Sequence, residues 1–356
     1  MQLPINNFQV TTPALLFDPE FYIFDVSADL KTTKFLICDE KKIALAPFID
    51  IRFEPLSQGQ FTVPSKDLFE LESMHNVPRA QSAYIFHHAF VCSTLLARCL
   101  NQIDIFFSLK EPWILRRLSD FKRAQRQSVS DEKWQEMFTG YSSLLAKNYY
   151  KAKTPVIKAT NVANNLITDV IKYLPKHKIL YLYSDLESFL ISNLKKPQET
   201  QVKMPELAAK FMSDSNFYKK YSNLFQLNEL TFLQICALVW VVNLYNLKAS
   251  TEGFQLEHIK TLDMNDFLED MGGSLKSISQ FFGHNPTASE VALMLDPSIT
   301  QTNSKHQQLG YNEDMKQQES DIVLHKFGDE IQNVQQWISP LVNELEIIKY
   351  CADRKL

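Results

Sequence analysis

Short apolar runs alternate with segments of helical periodicity through much of the chain. The runs with the length and residue types of β-strands cover residues 83–88, 105–110, 155–160, 178–184 and 257–263. Helical periodicity fills the intervals at residues 93–102, 112–127, 131–150 and 161–174. A repeated strand–helix–strand order predicts a parallel sheet covered by helices. Ligands of such sheets bind beyond the carboxyl ends of the strands, so polar residues at those ends are candidate site residues.

The two ends of the chain have different patterns. Residues 1–80 contain short apolar or alternating pieces separated by Asp, Lys, Pro and Gly, which predicts a β-rich N-terminal region. After Asp185 the periodicity is mostly helical, at residues 186–196, 204–222, 228–250, 265–282, 287–296 and 317–349. We expect an α/β domain over residues 81–356, with a helical insert at about residues 200–250 and a long polar loop at residues 297–316. Loops of that length inside a compact domain are usually functional or disordered.

Composition limits the classes of partner. Of the 356 residues, 45% are apolar and 22% are charged, as in ordinary soluble globular proteins. The net charge of −4 gives no general attraction to nucleic acid or to an anionic membrane, so any anion site must be local. The eight glycines are about a third of the usual share, which disfavours a fold with several glycine-rich loops.

Cysteine usage and hydropathy bear on the compartment. The five cysteines are scattered without a CxxC pair, which predicts a reducing compartment with no disulfide framework or zinc site. The N-terminus lacks a basic start and an apolar core, so we expect no secretory signal. The apolar run at residues 230–247 has the length of a membrane span, but Gln234, Asn243 and Asn246 interrupt it. We interpret it as a buried helix and expect a cytoplasmic protein without membrane contact.

The stretch YIFHHAFVCSTLLARCL, residues 84–100, has the pattern with which a phosphate-binding loop begins: a strand, a polar turn and a helix start. It contains no glycine and no lysine, and GxxxxGK[ST] is absent, so it is not a Walker motif. The free N–H groups of a helix N-terminus and the hydroxyls of Ser93 and Thr94 suffice to hold a phosphate. The alternative is that Ser93 is an ordinary N-cap.

Two adjacent histidines precede this loop. His87 and His88 are consecutive residues of a predicted strand, so their side chains point to opposite faces. They cannot readily chelate one metal ion. We expect one ring to be packed and the other to face the cleft, and we predict no metal site.

Three further strand ends carry polar residues. Lys110 and Glu111 end the second strand, which we expect to lie next to the first; Glu111 could accept a proton from an attacking hydroxyl or complement a helix dipole. Lys158 is a plausible anion contact at the end of the third strand, before a helix starting near Asn161. Ser184 ends the fourth strand and is followed by three polar helix residues, Ser192, Lys195 and Lys196.

These segments, in this order, resemble the sulfotransferase superfamily, and the loop is most similar to that of a group of bacterial sulfotransferase-like proteins. Residues 84–100 resemble the 5′-phosphosulfate loop, usually P-[KR]-S-G-T-T-x-L, and residues 178–196 resemble the 3′-phosphate segment. SLKEPWIL falls where protein-tyrosine sulfotransferases carry a catalytic Glu, VIKATNVANNL resembles a KxTN-type strand end, and residues 259–283 resemble the late strand and helix. The resemblance covers about residues 80–340. It implies a P-loop type three-layer α/β fold and transfer of a sulfuryl group from PAPS (3′-phosphoadenosine 5′-phosphosulfate) to a hydroxyl or amine.

The resemblance also implies residue roles. Glu111 would be the base, and Lys158 and Lys110 would be catalytic cations. The residues implied to bind the donor nucleotide are His88, Ala89, Phe90, Val91, Cys92, Ser93, Thr94, Ser184, Ser192 and, in the long polar loop, Lys305. The partners would be this nucleotide and a small-molecule or protein acceptor of unknown identity, with no nucleic acid and no metal.

The chain departs from the family at two cationic positions. Phe90 stands where the loop usually has Lys or Arg, and Ser184 stands where the 3′-phosphate segment has Arg. Sulfuryl transfer needs cationic stabilisation, so Lys110, Lys158 or a histidine must supply it, and Lys195 or Lys196 could replace the missing Arg. Two alternatives stay open: a non-catalytic nucleotide-binding or regulatory protein on the same fold, and a P-loop kinase-like enzyme.

Overall fold

The computed structural model describes residues 2–5, 8–75, 81–147, 149, 154–302 and 313–356. Its strands are β1 Gln2–Ile5, β2 Phe8–Thr11, β3 Phe21–Val26, β4 Thr32–Ile37, β5 Gly59–Pro64, β6 Ala83–His87, β7 Phe106–Lys110, β8 Thr154–Lys158, β9 Lys178–Tyr183 and β10 Ile259–Asp263. Its α-helices are α1 Thr12–Phe17, α2 Glu40–Leu45, α3 Ser65–His75, α4 Ser93–Leu100, α5 Trp113–Gln125, α6 Asp131–Leu145, α7 Ile167–Tyr173, α8 Leu186–Leu194, α9 Gln198–Gln201, α10 Met204–Met212, α11 Phe217–Tyr221, α12 Phe232–Thr251, α13 Met264–Glu269, α14 Met271–Phe281, α15 Ala288–Met294, α16 Pro297–Thr300, α17 Glu313–Leu345 and α18 Ile347–Ala352. Short 3₁₀ helices cover Glu54–Leu56, Arg126–Ser128, Asn161–Leu166 and Ser222–Leu224.

The central sheet has the order β10-β9-β6-β8-β7, and every neighbouring pair is parallel. All five strands were predicted from the sequence, and the parallel sheet is confirmed. The expectation that the second strand lies next to the first is wrong, because β8 lies between β6 and β7 and pairs with both. Apolar pattern determines which faces of a strand are buried, but it does not determine which strand pairs with which.

The sheet is covered on both faces, so the domain has three layers. Alternate residues of β6 belong to different apolar clusters: Tyr84 and Phe86 to one, Ala83 and Ile85 to the other. The first cluster includes residues of α5, α6, α7, α8, α12 and α17, and the second includes residues of α4, α13 and α14. This arrangement confirms the predicted three-layer α/β fold.

The N-terminal region is β-rich, as predicted. Strands β3, β4 and β5 form an antiparallel sheet, and β1 pairs with β2. Its buried apolar residues, from Leu15 to Phe69, belong to the same apolar cluster as one face of the central sheet. Its backbone also contacts the end of β7, since the Ile49 N–H donates to the Lys110 carbonyl at 2.7 Å. The division of the chain at residue 80 stays a prediction.

Helix α12 is the long apolar run that the sequence singled out. Thr231 and Gln234 form a capping box at its start. Among the described residues it is the one helix long and apolar enough to cross a membrane by length and composition, and 78% of its apolar window is buried inside the molecule. The prediction of a buried helix is confirmed.

Several predicted helix boundaries differ from the observed ones. The segment at 161–174 begins as a 3₁₀ helix, and the one at 265–282 divides at Asp270, whose side chain caps α14. The predicted loop at 297–316 contains α16 at its start, and α17 begins inside it at Glu313. Asp270 and Asp296 cap the helices that start at two of these boundaries, and the apolar period alone does not mark them.

Candidate functional site

A cleft lies at the carboxyl edge of the central sheet, with a cavity volume of about 1320 Å³. Strand ends and the loops after them supply part of its lining: His87 of β6, the loop from Ala89 to Thr94, Glu111 after β7 and Lys158 of β8. Three residues at and beyond the end of α8, Ser192, Lys195 and Lys196, line it as well. The structure thus brings most of the predicted site residues to one cleft.

The loop between β6 and α4 has an unusual backbone. Phe90 and Cys92 have left-handed conformations, with φ of 67° and 54°. Side chains with a Cβ rarely adopt that conformation. Turns that place left-handed residues in succession with right-handed ones direct backbone N–H groups into a concavity that suits an anion. This loop therefore has, at Phe and Cys, the left-handed conformation for which glycine is the usual residue.

Helix α4 starts at Ser93, and no side chain caps it. The N-cap residue is Cys92, so the interpretation of Ser93 as an ordinary N-cap is wrong. The N–H groups in the first turn of an uncapped helix lack intrahelical acceptors and carry partial positive charge. Ser93 and Thr94 are only 5% and 4% exposed and line the cleft. Backbone and hydroxyl donors are thus available together at this end of the cleft.

Glu111 and Lys158 form an ion pair in the cleft. The Lys158 Nζ lies 2.5 Å from the Glu111 Oε1, and the Lys158 side chain is fully buried. Glu111 has a left-handed backbone with φ of 58°, and its N–H donates to the Lys158 carbonyl at 2.7 Å. Ile49 holds the backbone on both sides of Glu111, since it donates to the carbonyl of the preceding Lys110 and accepts from the N–H of Trp113, two residues further on. The carboxylate is therefore fixed at the cleft by two neighbouring segments.

Lys110 has a different environment from Lys158, although the two residues are partners in the β7–β8 register. Its ammonium donates to the Ala44 carbonyl at 2.7 Å, and it is not among the residues that line the cleft. Burial, with smaller contributions from Arg98 and Lys158, lowers the pKa of Lys110 to about 7. Its predicted catalytic role stays a prediction, and its contacts join the sheet to the N-terminal region.

His88 and Ser184 bind each other in the protein interior. The His88 Nε2 accepts from the Ser184 N–H at 2.8 Å, and Nδ1 lies 2.8 Å from the Ala89 carbonyl, to which it donates in that tautomer. Burial lowers the pKa of His88 to about 4, so its ring is neutral near pH 7. The Ser184 carbonyl also accepts from the Trp240 indole at 2.8 Å. Neither residue lines the cleft, and Ser184 joins the end of β9 to α12.

His87 is the histidine that lines the cleft, which confirms that one of the pair is packed and the other faces the cleft. Its two ring nitrogens lie 2.6 Å from the His88 carbonyl and 3.1 Å from the Ala159 carbonyl. These contacts fix the ring between the ends of β6 and β8.

Two lysines follow α8 and have separate contacts. The Lys195 Nζ lies 3.0 Å from the Ser320 Oγ and 3.4 Å from the Glu319 Oε2, both on α17. The Lys196 Nζ lies 4.7 Å from the centre of the Phe90 ring. Burial and the neighbouring Lys195 charge lower the pKa of Lys196. The sequence suggested these lysines as substitutes for an Arg at position 184, but Lys196 lies beside position 90.

Arg52 lines the cleft and was not predicted from the sequence. It comes from the N-terminal region, is paired with Asp50, and has its guanidinium 3.9 Å from the centre of the Phe48 ring. The Glu111 charge contributes to raising the pKa of Arg52, after the larger effect of Asp50. No motif marks this residue, because the resemblance is weaker over the first 80 residues.

Two further predictions concern a loop lysine and a metal site. Lys305 lies outside the described residues. Within the ranges that the structure describes, no group of three or more His, Cys, Asp or Glu side chains could hold a metal ion.

No protein-family model matches the chain, and no curated protein matches it. Among solved structures, the fold is similar to the sulfotransferase domain from the curacin biosynthetic pathway, with a TM-score of 0.41 and 12% identity over 74% of this chain and 99% of that one. It is also similar to the sulfotransferase STF9 from Mycobacterium avium, with a TM-score of 0.39 and 11% identity over 73% of this chain and 81% of that one. A third match is the mouse sulfotransferase SULT7A1 complexed with PAP, with a TM-score of 0.33 and 11% identity over 74% of this chain and 90% of that one. These three structures belong to the family that the sequence resembles.

Proposed function

We propose that the chain is a sulfotransferase that moves a sulfuryl group from PAPS to a hydroxyl or amine of an acceptor. The observation that carries the proposal is the presence, in one cleft, of an uncapped helix N-terminus and a carboxylate paired with a buried lysine, Glu111 with Lys158. The first feature suits a phosphate, and the second suits proton abstraction beside it.

The donor nucleotide would be held at both ends by residues of this chain. The N–H groups at the start of α4 and the hydroxyls of Ser93 and Thr94 would bind its 5′-phosphosulfate. Ser192, which lines the same cleft, would contact its 3′-phosphate. The cleft is larger than the roughly 300–1,000 Å³ of common small-molecule sites, which suits a nucleotide and an acceptor bound together.

Glu111 would take the proton of the acceptor hydroxyl or amine. A bond forms between the acceptor oxygen or nitrogen and sulfur, the bond between sulfur and the bridging phosphate oxygen breaks, and the leaving nucleotide takes that electron pair. Lys158 holds the Glu111 carboxylate in place through their ion pair, and it adds positive charge where negative charge develops. Backbone donors of the loop stabilise the leaving phosphate in the same way.

Ligand-dependent thermal stability tests the donor. A ligand that binds only the folded chain raises its melting temperature. We expect adenosine 3′,5′-bisphosphate, the product nucleotide, to raise it more than AMP does. If neither PAPS nor the bisphosphate binds at millimolar concentration, the proposal is wrong.

Turnover tests the base. Glu111→Gln keeps the size of the side chain and cannot take the proton, so we expect bisphosphate binding to persist while conversion of PAPS with a panel of phenols, alcohols and amines falls about a hundredfold or more. Nucleotide binding without turnover by the wild-type chain would favour the non-catalytic alternative. That alternative is also favoured by Phe90 and Ser184, which stand where the family has cationic residues. Magnesium-dependent ATP turnover would favour the kinase-like alternative.

A further inference from the structure

We propose that Lys196, held against the ring of Phe90, supplies the positive charge of the phosphate-binding loop. This inference rests on the proposed function and assigns the donor-binding cation to a residue outside the loop. The juxtaposition is direct, since the Lys196 Nζ lies 4.7 Å from the centre of the Phe90 ring and both residues line the cleft.

Phe90 is fixed in a position that suits an ammonium group. Its φ of 67° turns the backbone into the left-handed region, and its ring packs at 6.3 Å from the ring of Phe189 in α8. The face of an aromatic ring carries partial negative charge and attracts a cation placed over it. The uncharged ring of Phe90 thus holds the ammonium of Lys196 beside the loop. The contact with Phe189 joins the loop to α8, the helix that precedes Lys196.

Lys196 has charge to offer an anion. Among the described residues it has no carboxylate within the 4 Å of an ion pair, whereas its neighbour Lys195 is paired with Glu319. Lys196 is partly buried, and burial together with the Lys195 charge lowers its pKa. A bound phosphate would relieve both effects, because an opposite charge nearby stabilises the charged form of the amine.

The position of Lys196 joins the two anion-binding elements of the cleft. It lies just beyond α8, the helix that carries Ser192, and its ammonium lies beside the loop that precedes α4. The ammonium and the N–H groups of the first turn of α4 therefore act on the same end of the cleft. Lys158 is already paired with the Glu111 carboxylate, so Lys196 has the larger net charge to offer a bound phosphate.

Calorimetric titration with adenosine 3′,5′-bisphosphate tests the assignment. We expect Lys196→Met to weaken binding about tenfold or more, since a charge-assisted contact to phosphate is lost. Transfer of the charge to the loop in the double variant Phe90→Lys with Lys196→Met should restore most of that affinity. Phe90→Leu, which keeps the lysine and removes the ring face, should weaken binding severalfold.

Lys172→Met is the matched control. Lys172 is exposed in the last turn of α7, outside the cleft, so we expect no change in affinity. Circular dichroism and the melting temperature without ligand establish that each variant is folded. If Lys196→Met fails to fold, Phe90→Leu decides the matter, because an affinity equal to that of the wild-type chain would overturn the inference.

The outcomes separate this inference from the proposed function. Binding to the wild-type chain and equal binding to Lys196→Met would overturn the inference and leave the proposed function intact. The inference would also be overturned by a double variant that binds the bisphosphate no more tightly than Lys196→Met does. No binding to the wild-type chain would overturn both.

Discussion

Three non-glycine residues of the cleft, Phe90, Cys92 and Glu111, have left-handed backbones, and only two other described non-glycine residues do. Each such conformation costs roughly 1–2 kcal/mol and persists only when its surroundings enforce it. At Glu111 the enforcing contacts are visible, because its N–H donates to the Lys158 carbonyl and the backbones of Lys110 and Trp113, on either side of it, bond to Ile49. Strain concentrated in one cleft supports the assignment of function to that cleft.

His88 makes the stability of the protein sensitive to acid. Its pKa of about 4 lies below the ordinary value near 6.5, so between these values the unfolded chain binds a proton that the folded chain does not. The stabilising contribution is complete above pH 6.5 and is lost as the pH falls toward 4, by at most on the order of 3 kcal/mol. His88→Gln does not titrate, and its amide oxygen can accept from the Ser184 N–H.

We therefore expect the difference in the free energy of unfolding between the wild-type chain and His88→Gln to be smaller at pH 4.5 than at pH 7.5. Denaturant unfolding at the two pH values measures it. His325→Gln, on the exposed side of α17, is the control and should show the same difference at both. An unchanged difference for His88→Gln would contradict the role given to this ring.

Helix α17 places a carboxylate in the cleft, and this carboxylate competes for Lys195 with any anion that enters. Its residue Glu319 lines the cleft and lies 3.4 Å from the Lys195 Nζ, and its charge also acts on Lys196. A carboxylate in this position repels a phosphate and occupies a cation that could bind one. We therefore expect the start of α17 to weaken binding of the proposed nucleotide.

Glu319→Gln should strengthen binding of adenosine 3′,5′-bisphosphate, by up to about fivefold. The size follows from the partial exposure of the pair, because exposed ion pairs contribute roughly 0–1 kcal/mol. Calorimetric titration measures it. Glu330→Gln, an exposed site farther along the same helix, should leave the affinity unchanged. Weaker binding by Glu319→Gln would show that Glu319 positions the lysines instead of opposing the ligand.

The elements were more predictable than their arrangement. The apolar runs predicted all five central strands, since burial on both faces leaves a continuous apolar signature. The order of the strands was not predictable in the same way. Sequence order placed β7 beside β6, whereas the structure has β8 there. Within the site, Glu111 and Lys158 were predicted from the strand ends that carry them. The contact between Phe90 and Lys196 was not, because it depends on how α8 packs beside the loop.

For the whole molecule, the question is whether residues 1–80 fold as a separate unit. Gly140 of α6 faces α3 of the N-terminal region, and a Cβ at Gly140 would lie 2.7 Å from Phe69 Cε1 and 2.8 Å from Glu72 Oε2. Both regions also contribute to one apolar cluster. These contacts predict that the regions unfold together.

Gly140→Ala should destabilise the protein by about 1–3 kcal/mol, because overpacking outweighs the better helix propensity of alanine. Scanning calorimetry should show one transition, shifted downward by a few degrees. Gly328→Ala, in α17 with open space around the added Cβ, is the control and should be neutral or stabilising. Two separate transitions would show that the N-terminal region unfolds independently.

The loop position is occupied by Phe90 and the charge comes from Lys196, and this division of roles has a consequence for related sequences. We expect a charge at the end of α8 to be redundant when the loop carries its own lysine, and to be required when the loop carries an aromatic ring. The two positions should therefore covary among relatives, with Lys or Arg at one accompanied by release from selection at the other. A pattern search confined to the loop would then overlook chains whose charge comes from α8, and paired positions would identify them.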